Sequence, residues 1–171
     1  MRLKETQKAM NAFAKRVVKQ AKQNLTKGNK NVSKELYNSI YFENPKRPNS
    51  LELFFFMEKY GVFQDKGVKG TKSNYIENRD TPFSYRTDMP PRDPLIKWAK
   101  ARNIRLRDDK GRYTRGNYNT IGYLLQRSIF EKGIRASMFF TKPFENEFKK
   151  LPDDIVNRFG LDIDDFLELT T

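Results

Sequence analysis

The chain has 171 residues and a formal charge of +13, from 34 Lys and Arg against 21 Asp and Glu, and it contains neither Cys nor His. That length suits a single domain able to bury roughly two thirds of its surface, and the charge points to an anionic partner or an acidic protein surface. Without Cys there is no disulfide framework, thiol nucleophile or thiolate metal site; without His the commonest imidazole ligand and proton shuttle is gone.

Such a composition suits a reducing cytosol. No apolar run nears the roughly 18 residues of a membrane span, and the N-terminal "MRLKETQKAMNAFAKR" has no uninterrupted apolar core of a signal peptide. The expectation is a soluble chain.

Residues 3–26 predict one long helix, because Leu3, Met10, Phe13, Ala14, Val17, Val18, Ala21 and Leu25 recur at three- and four-residue steps among Lys, Arg and Gln. Gly28 is the expected left-handed cap. The basic face reads either as a solvated surface or as a nucleic-acid contact. "YNSIYFE" and "LELFFFME", separated by the turn formers of "NPKRPNS", predict a β-hairpin. In its second strand Leu51, Leu53, Phe55 and Met57 share one face, and Glu52, Phe54, Phe56 and Glu58 the other. Aromatics on both faces require two covers. Helix 1 can supply one, and a neighbouring subunit is expected for the second.

"KYGVFQDKG" predicts a short helical turn presenting Tyr60 and Phe63 and ending at Gly67. From Val68 to Pro91 no periodicity survives, so a long central loop is expected, mobile until a partner orders it. A helix should start at Pro94 behind Asp93 as N-cap, with Leu95, Trp98 and Ala99 on its apolar face and Trp98 in the core. "RLRDDKGRYTRG" predicts an exposed hairpin or loop with basic arms. Tyr118, Ile121, Leu124, Leu125 and Ile129 mark a helix ending near Gly133. A last one, capped by Thr141 with Pro143 in its first turn, carries Phe144, Phe148 and Leu151 inward.

Between these two helices Met138, Phe139 and Phe140 stand together on a short connection, read as a contact in which some pack inward and some meet another subunit; the competing reading makes all three intrachain core. Residues 152–171 hold six acids against one Arg, −5, which leaves +18 on residues 1–151. The expected division is therefore a domain at 1–151 and an acidic tail at 152–171.

Few constellations suggest chemistry. Asp162, Asp164, Asp165 and Glu168 miss the calcium-loop pattern, since Leu167 stands where Gly is needed, and they read as a solvated acidic face or a docking strip for a basic neighbour. Asp108 and Asp109 sit in a turn, where Asp is common for conformational reasons. There is no Walker loop or GxGxxG, and Ser33-Lys34 adjacency places no base on a nucleophile. No cofactor, metal site or catalytic residue is expected. Arg102, Arg105, Arg107, Lys110, Arg112 and Arg115, with Tyr113 and Tyr118 nearby, form a cluster suited to phosphates and occasional stacking, for sequence-independent contact with DNA or with an acidic partner.

The order of a long basic helix, "LYNSIYFE", "KYGVFQDKG", a long loop, "PLIKWAKARNI", "RDDKGRYTRG" and "LLQRSIFEKGIRASMFFTKPFE" resembles the tail-completion (neck) proteins of tailed bacteriophages, over roughly residues 5–150. The acidic end departs from that pattern. The resemblance implies an α+β subunit: a long N-terminal helix and two or three more helices on a small antiparallel sheet, with a long central loop. It further implies a non-enzymatic homo-oligomeric ring at the head-to-tail junction of the virion, between portal or adaptor and tail proteins, with genomic double-stranded DNA in its lumen and assembly in the host cytoplasm. Phe54, Phe56, Tyr60, Phe63, Met138, Phe139 and Phe140 are then the expected subunit or partner contacts. The acidic tail should dock on a basic neighbour. A sequence-independent nucleic-acid-binding accessory protein is the alternative reading; a metal-dependent nuclease is weaker, because its acids are misplaced.

Overall fold

The computed structural model describes residues 3–30, 32–47, 50–78 and 80–168, with backbone alone at 46, 47, 50 and 164–168. The fold is α+β. Among the described residues it has seven helices and three two-stranded antiparallel ladders, grouped in two compact units. One unit joins residues 1–59 to 138–171, and the other is residues 60–137. The expected boundary after residue 151 is thus not where the chain divides.

The first unit is built on α1 (Lys4–Lys27), whose buried stripe is Thr6, Ala9, Met10, Phe13, Ala14, Val17, Ala21 and Leu25. This is the predicted face, extended by small residues. Gly28 is not left-handed (φ −76°); Asn29 takes that conformation instead (φ 53°), as Asn tolerates. After the short α2 (Glu35–Ser39), β1 (Tyr41–Glu43) pairs with β4 (Phe54–Phe56) in the register Tyr41↔Phe56, Phe42↔Phe55, Glu43↔Phe54. At the tip of this hairpin, β2 (Lys46–Arg47) pairs with β3 (Ser50–Leu51). Helix α6 (Thr141–Phe148) and helix α7 (Leu151–Glu168) both pack on α1. The core is aromatic: Phe13 meets Phe55 and Phe144 edge-on at 6.2 and 5.7 Å, while Phe148, expected inward, is half exposed at its edge, 6.5 Å from Phe13; each such pair adds about 1 kcal/mol to the burial of the rings.

The expected acidic tail is therefore a packed helix. Asp162, 157 residues from Glu5 in sequence, accepts hydrogen bonds from the backbone N–H of Glu5 and Thr6 (both 2.9 Å) and from Thr6 Oγ1 (2.7 Å). Leu3, the N-cap of α1, offers no side-chain acceptor, so a carboxylate from the far end of the chain satisfies amides that a helix start leaves unpaired.

The second unit begins with α3 (Tyr60–Lys66). It continues through β5 (Val68–Lys69), paired antiparallel with β6 (Gly133–Ile134), to α4 (Arg92–Ala101) and α5 (Tyr118–Lys132), which pack on each other. Helix α4 starts at Arg92, two residues before the expected Pro94, and Pro91 rather than Asp93 is its N-cap. A Cβ at Gly122 of α5 would lie 2.5 Å from Ile96 Cγ1. This close crossing buries Ala99 and leaves Trp98, expected in the core, 40% exposed at the rim. Gly133 ends α5 as expected, with φ +85°.

The segment 68–91 has little regular structure, yet it is pinned. Buried Asn78 donates through Nδ2 to the carbonyls of Val68 (2.9 Å) and Ile134 (2.7 Å) and accepts from the Ala136 N–H (2.8 Å). Thr81 Oγ1 donates to the Gly67 carbonyl, and the Phe83–Tyr85 strip bonds Lys69 on both sides. Backbone groups fastened in this way do not suit a loop that waits for a partner.

Candidate functional site

In the first unit, alternation along β4 sends Phe55 inward to Phe13, Phe140 and Phe144. Phe54 and Phe56 point outward and stay exposed. Tyr41, opposite Phe56 in the register, stacks on it with centroids 4.8 Å apart and planes 14° from parallel. Tyr41 is exposed too, so the outer face of the hairpin is an aromatic platform of Tyr41, Phe54 and Phe56, each 38–49% exposed. The sequence reading had Phe54 and Phe56 but missed Tyr41, which pairing the two strands across their turn would have supplied.

The Met138–Phe140 connection divides its roles. Phe139 is 1% exposed in a cluster with Ala21, Leu25, Leu36 and Ile40, and its carbonyl accepts from Asn24 Nδ2 at 3.2 Å. Phe140 packs partly buried against both core clusters. Met138, in the left-handed region at φ 51°, is 37% exposed. Buried Phe139 is thus core in the subunit, and Met138 is the residue on offer.

The charged pairs of this unit are clamps. Glu147, also buried, accepts from Arg16 Nε (2.6 Å) and Gln20 Nε2 (2.9 Å), and the Arg16 guanidinium holds its carboxyl below the ordinary range against the opposing effect of burial. Burial raises the Asp162 pKa, but the bonds from Glu5 and Thr6 outweigh it and the net direction is down. Asp162 is 3% exposed, so it is an internal cap and not a docking acid. The side chains of Asp164, Asp165 and Glu168 lie outside the described residues.

Beside these clamps, the C-terminal half of α1 lines an open groove of about 710 Å³. Its rim carries Lys15, Lys19, Lys22 and Lys27, and its floor is Val18, Tyr37 and Phe42. Lys22 lies over the Tyr37 ring at 5.1 Å, and no described carboxylate lines the groove.

In the second unit, Tyr60 and Phe63 of α3 are exposed, and Phe63 meets Phe83 edge-on at 4.8 Å. The basic cluster occupies the expected hairpin. Arg107 bridges to Tyr113 across a turn closed by the Gly111 N–H bonded to the Asp108 carbonyl, with Gly111 at φ 78°. Arg102, Arg105, Arg107, Lys110, Arg112 and Arg115 are all exposed. They are not equivalent. Asp108 binds Arg112 Nε at 3.0 Å, while the guanidinium groups of Arg105 and Arg107 lie over the Tyr113 ring at 5.7 and 4.7 Å. This arrangement splays cations around one aromatic ring and suits a phosphate backbone better than a base edge.

No group of three or more Asp, Glu, His or Cys among the described residues is placed to hold a metal ion, and no described helix is long and apolar enough to cross a membrane. No protein family, curated protein or solved structure matches this chain.

Proposed function

We propose that this chain is a non-enzymatic structural subunit of a tailed bacteriophage that forms a ring at the head-to-tail junction, linking portal or adaptor to tail around the DNA channel. The observation that carries the reading is the exposed aromatic platform of Tyr41, Phe54 and Phe56 on a hairpin whose other face packs on the core. Clustered exposed aromatics of this kind mark protein–protein contacts, and a subunit with a permanent neighbour buries them on assembly. The sequence resemblance to tail-completion proteins supplies the setting. Exposed Met138, Tyr60 and Phe63 are further contacts of the same kind, and the Arg105–Arg115 hairpin faces DNA or an acidic partner.

Complementation of particles that lack the chain tests this reading. Wild-type protein should restore joining of heads to tails, and a folded Phe54→Asp, Phe56→Asp variant should not. Full rescue by that variant contradicts the role of the platform.

The Arg and Tyr hairpin favours a second reading, an accessory protein that binds nucleic acid without sequence preference. Its signature is steeply salt-dependent DNA affinity of the isolated chain, with a slope set by the number of phosphates contacted.

A further inference from the structure

We infer that one face of the 105–115 hairpin, carrying Arg105, Arg107, Arg115 and Tyr113, is a binding site for the phosphate backbone of duplex nucleic acid. The inference rests on the hairpin being a contact surface, as in both readings above. It names the ligand and separates the cations that meet it from those that do not.

Strand geometry sorts the cations of this region. Arg107 and Tyr113 stand opposite each other. The bonds on either side of them run from the Asp108 N–H to the Arg112 carbonyl (2.9 Å) and from the Thr114 N–H to the Leu106 carbonyl (3.1 Å). That pattern makes Arg107 and Tyr113 a non-hydrogen-bonded pair, the kind whose side chains lie closest. Alternation puts Arg105 and Arg115, each two residues along, on the same face. The other face turns inward. Ile104, Leu106 and Asp108 are half-buried where Arg105 and Arg107 are exposed, and a Cβ at Gly116 would meet the Leu106 side chain.

Charge is segregated in the same way. Asp108 accepts from the Lys110 and Arg112 N–H groups (3.0 and 2.8 Å) and from Arg112 Nε (3.0 Å), so its carboxylate is spent on the turn and on Arg112. Among the described residues no carboxylate pairs with Arg105, Arg107 or Arg115; the ion pair of the hairpin is Asp108–Arg112. Instead the Arg105 and Arg107 guanidiniums gather over Tyr113, whose hydroxyl accepts from Arg107 Nη2 at 3.1 Å. Like charges collected without a counter-charge attract an anion, and guanidinium forks suit phosphate oxygens. Two observations choose nucleic acid over an acidic protein. Tyr113, 64% exposed, is the exposed large apolar side chain described between 102 and 117, and its ring is engaged by the guanidiniums, so a protein partner finds no apolar anchor. Exposed ion pairs alone hold a protein weakly. Nucleic acid needs no anchor, because each neutralised phosphate releases counterions, and a duplex presents one charge per about 1.7 Å of axis against one per about 7 Å on one face of an acidic strand. A ring already engaged stacks no base, which favours the denser duplex over a single strand.

The test compares two full-length variants of equal net charge. Arg105→Gln with Arg107→Gln strips the face, whereas Arg112→Gln with Arg127→Gln removes two exposed cations already held by Asp108 and Glu131. Unchanged circular dichroism establishes that both fold. Fluorescence anisotropy of a short labelled duplex, at salt from about 50 to 200 mM, should show salt-dependent binding by the wild type. The face variant should bind about tenfold more weakly or worse at the low-salt end, with a log–log salt slope reduced by about 2, while the control stays within about twofold. Equal loss in the two variants overturns the inference, since only overall charge is then at work. A single strand bound more tightly than a duplex of the same length overturns it too, because that calls for stacking on Tyr113. Displacement of the duplex by polyglutamate at equal charge gives the face to an acidic protein and counts equally against it.

Binding in solution does not depend on location in a virion, so the two failures are separable. Affinity lost in the face variant alone, with no chain at the neck, refutes the ring reading and leaves this site. A neck ring whose isolated chain binds no duplex at low salt refutes only this site. Affinity that survives intact in the face variant refutes it as well, and places nucleic-acid binding elsewhere on the chain.

Discussion

The two compact units hold themselves together by different means. The first contains eleven of the fifteen buried apolar residues described, packed on α1 with a cluster of aromatic rings and stitched by Arg16–Glu147 and by Asp162. Among the described residues of the second unit, the buried apolar ones are Val68, Ala99, Ile121 and Ala136. It relies on close backbone approach and on a polar hub, Asn78, that bonds three separate backbone groups. An apolar core loses stability through cavities, whereas a hub loses it when several groups are orphaned at once.

Four variants sharpen this contrast, from the largest effect to the smallest. Phe13→Ala opens a cavity among Phe55, Phe144 and Phe148 and should cost about 3–5 kcal/mol in denaturant unfolding. A loss under 1 kcal/mol would mean the ring cluster is not the stabilising feature of the first unit. Asn78→Ala leaves two carbonyls and one N–H without their partner and should cost about 3 kcal/mol, each group being worth about 1 or more. Hydrogen exchange locates the damage: the amides of residues 68, 69, 134 and 136 should lose protection while those of α1 keep theirs. Uniform loss in both units would break the distinction.

Asp162→Asn should cost about 1 kcal/mol, typical of a lost cap, and change the pH dependence. The carboxyl is held below its ordinary value in the folded chain, so the unfolded chain takes up its proton first. Its stabilisation is complete above the unfolded pKa, about 4, and fades as pH falls through the lowered folded value. Wild-type stability should therefore fall more steeply than that of Asp162→Asn below about pH 4; parallel curves would remove Asp162 from the account. Finally, Arg105→Ala with Arg107→Ala should shift stability by no more than about 0.5 kcal/mol, since both side chains are exposed. The same variant should reduce any affinity for duplex DNA and flatten its salt slope. Unchanged affinity would leave the hairpin to a protein partner.

What the sequence made legible follows the same division. Apolar periodicity placed α1, α5 and α6 and chose the inward face of β4, because burial of a repeating row is a local signal. It failed where a residue's partner lies far along the chain. Asp162 read as one acid in a tail, although a helix continued from Leu151 through Ile155 would have set it on the buried row. Asn78 read as loop, since nothing local reveals three bonds to distant strands. Trp98 read as core because its neighbours are apolar, but the crossing at Gly122 decides which residue of α4 is covered. For the candidate surfaces, Phe54, Phe56 and the basic hairpin were visible in pattern, while Tyr41 and the lysine groove required the pairing of strands and the packing of Tyr37 and Phe42 beside α1.

The central claim is that the chain is a ring subunit at the head-to-tail junction, and imaging its position tests this most directly. Tailed particles carrying the chain, labelled with an antibody raised against it, should show label confined to the neck, with averaged images resolving a closed ring of copies there. Label on the capsid or the tail tip, or particles that join heads to tails without the chain, would contradict the account.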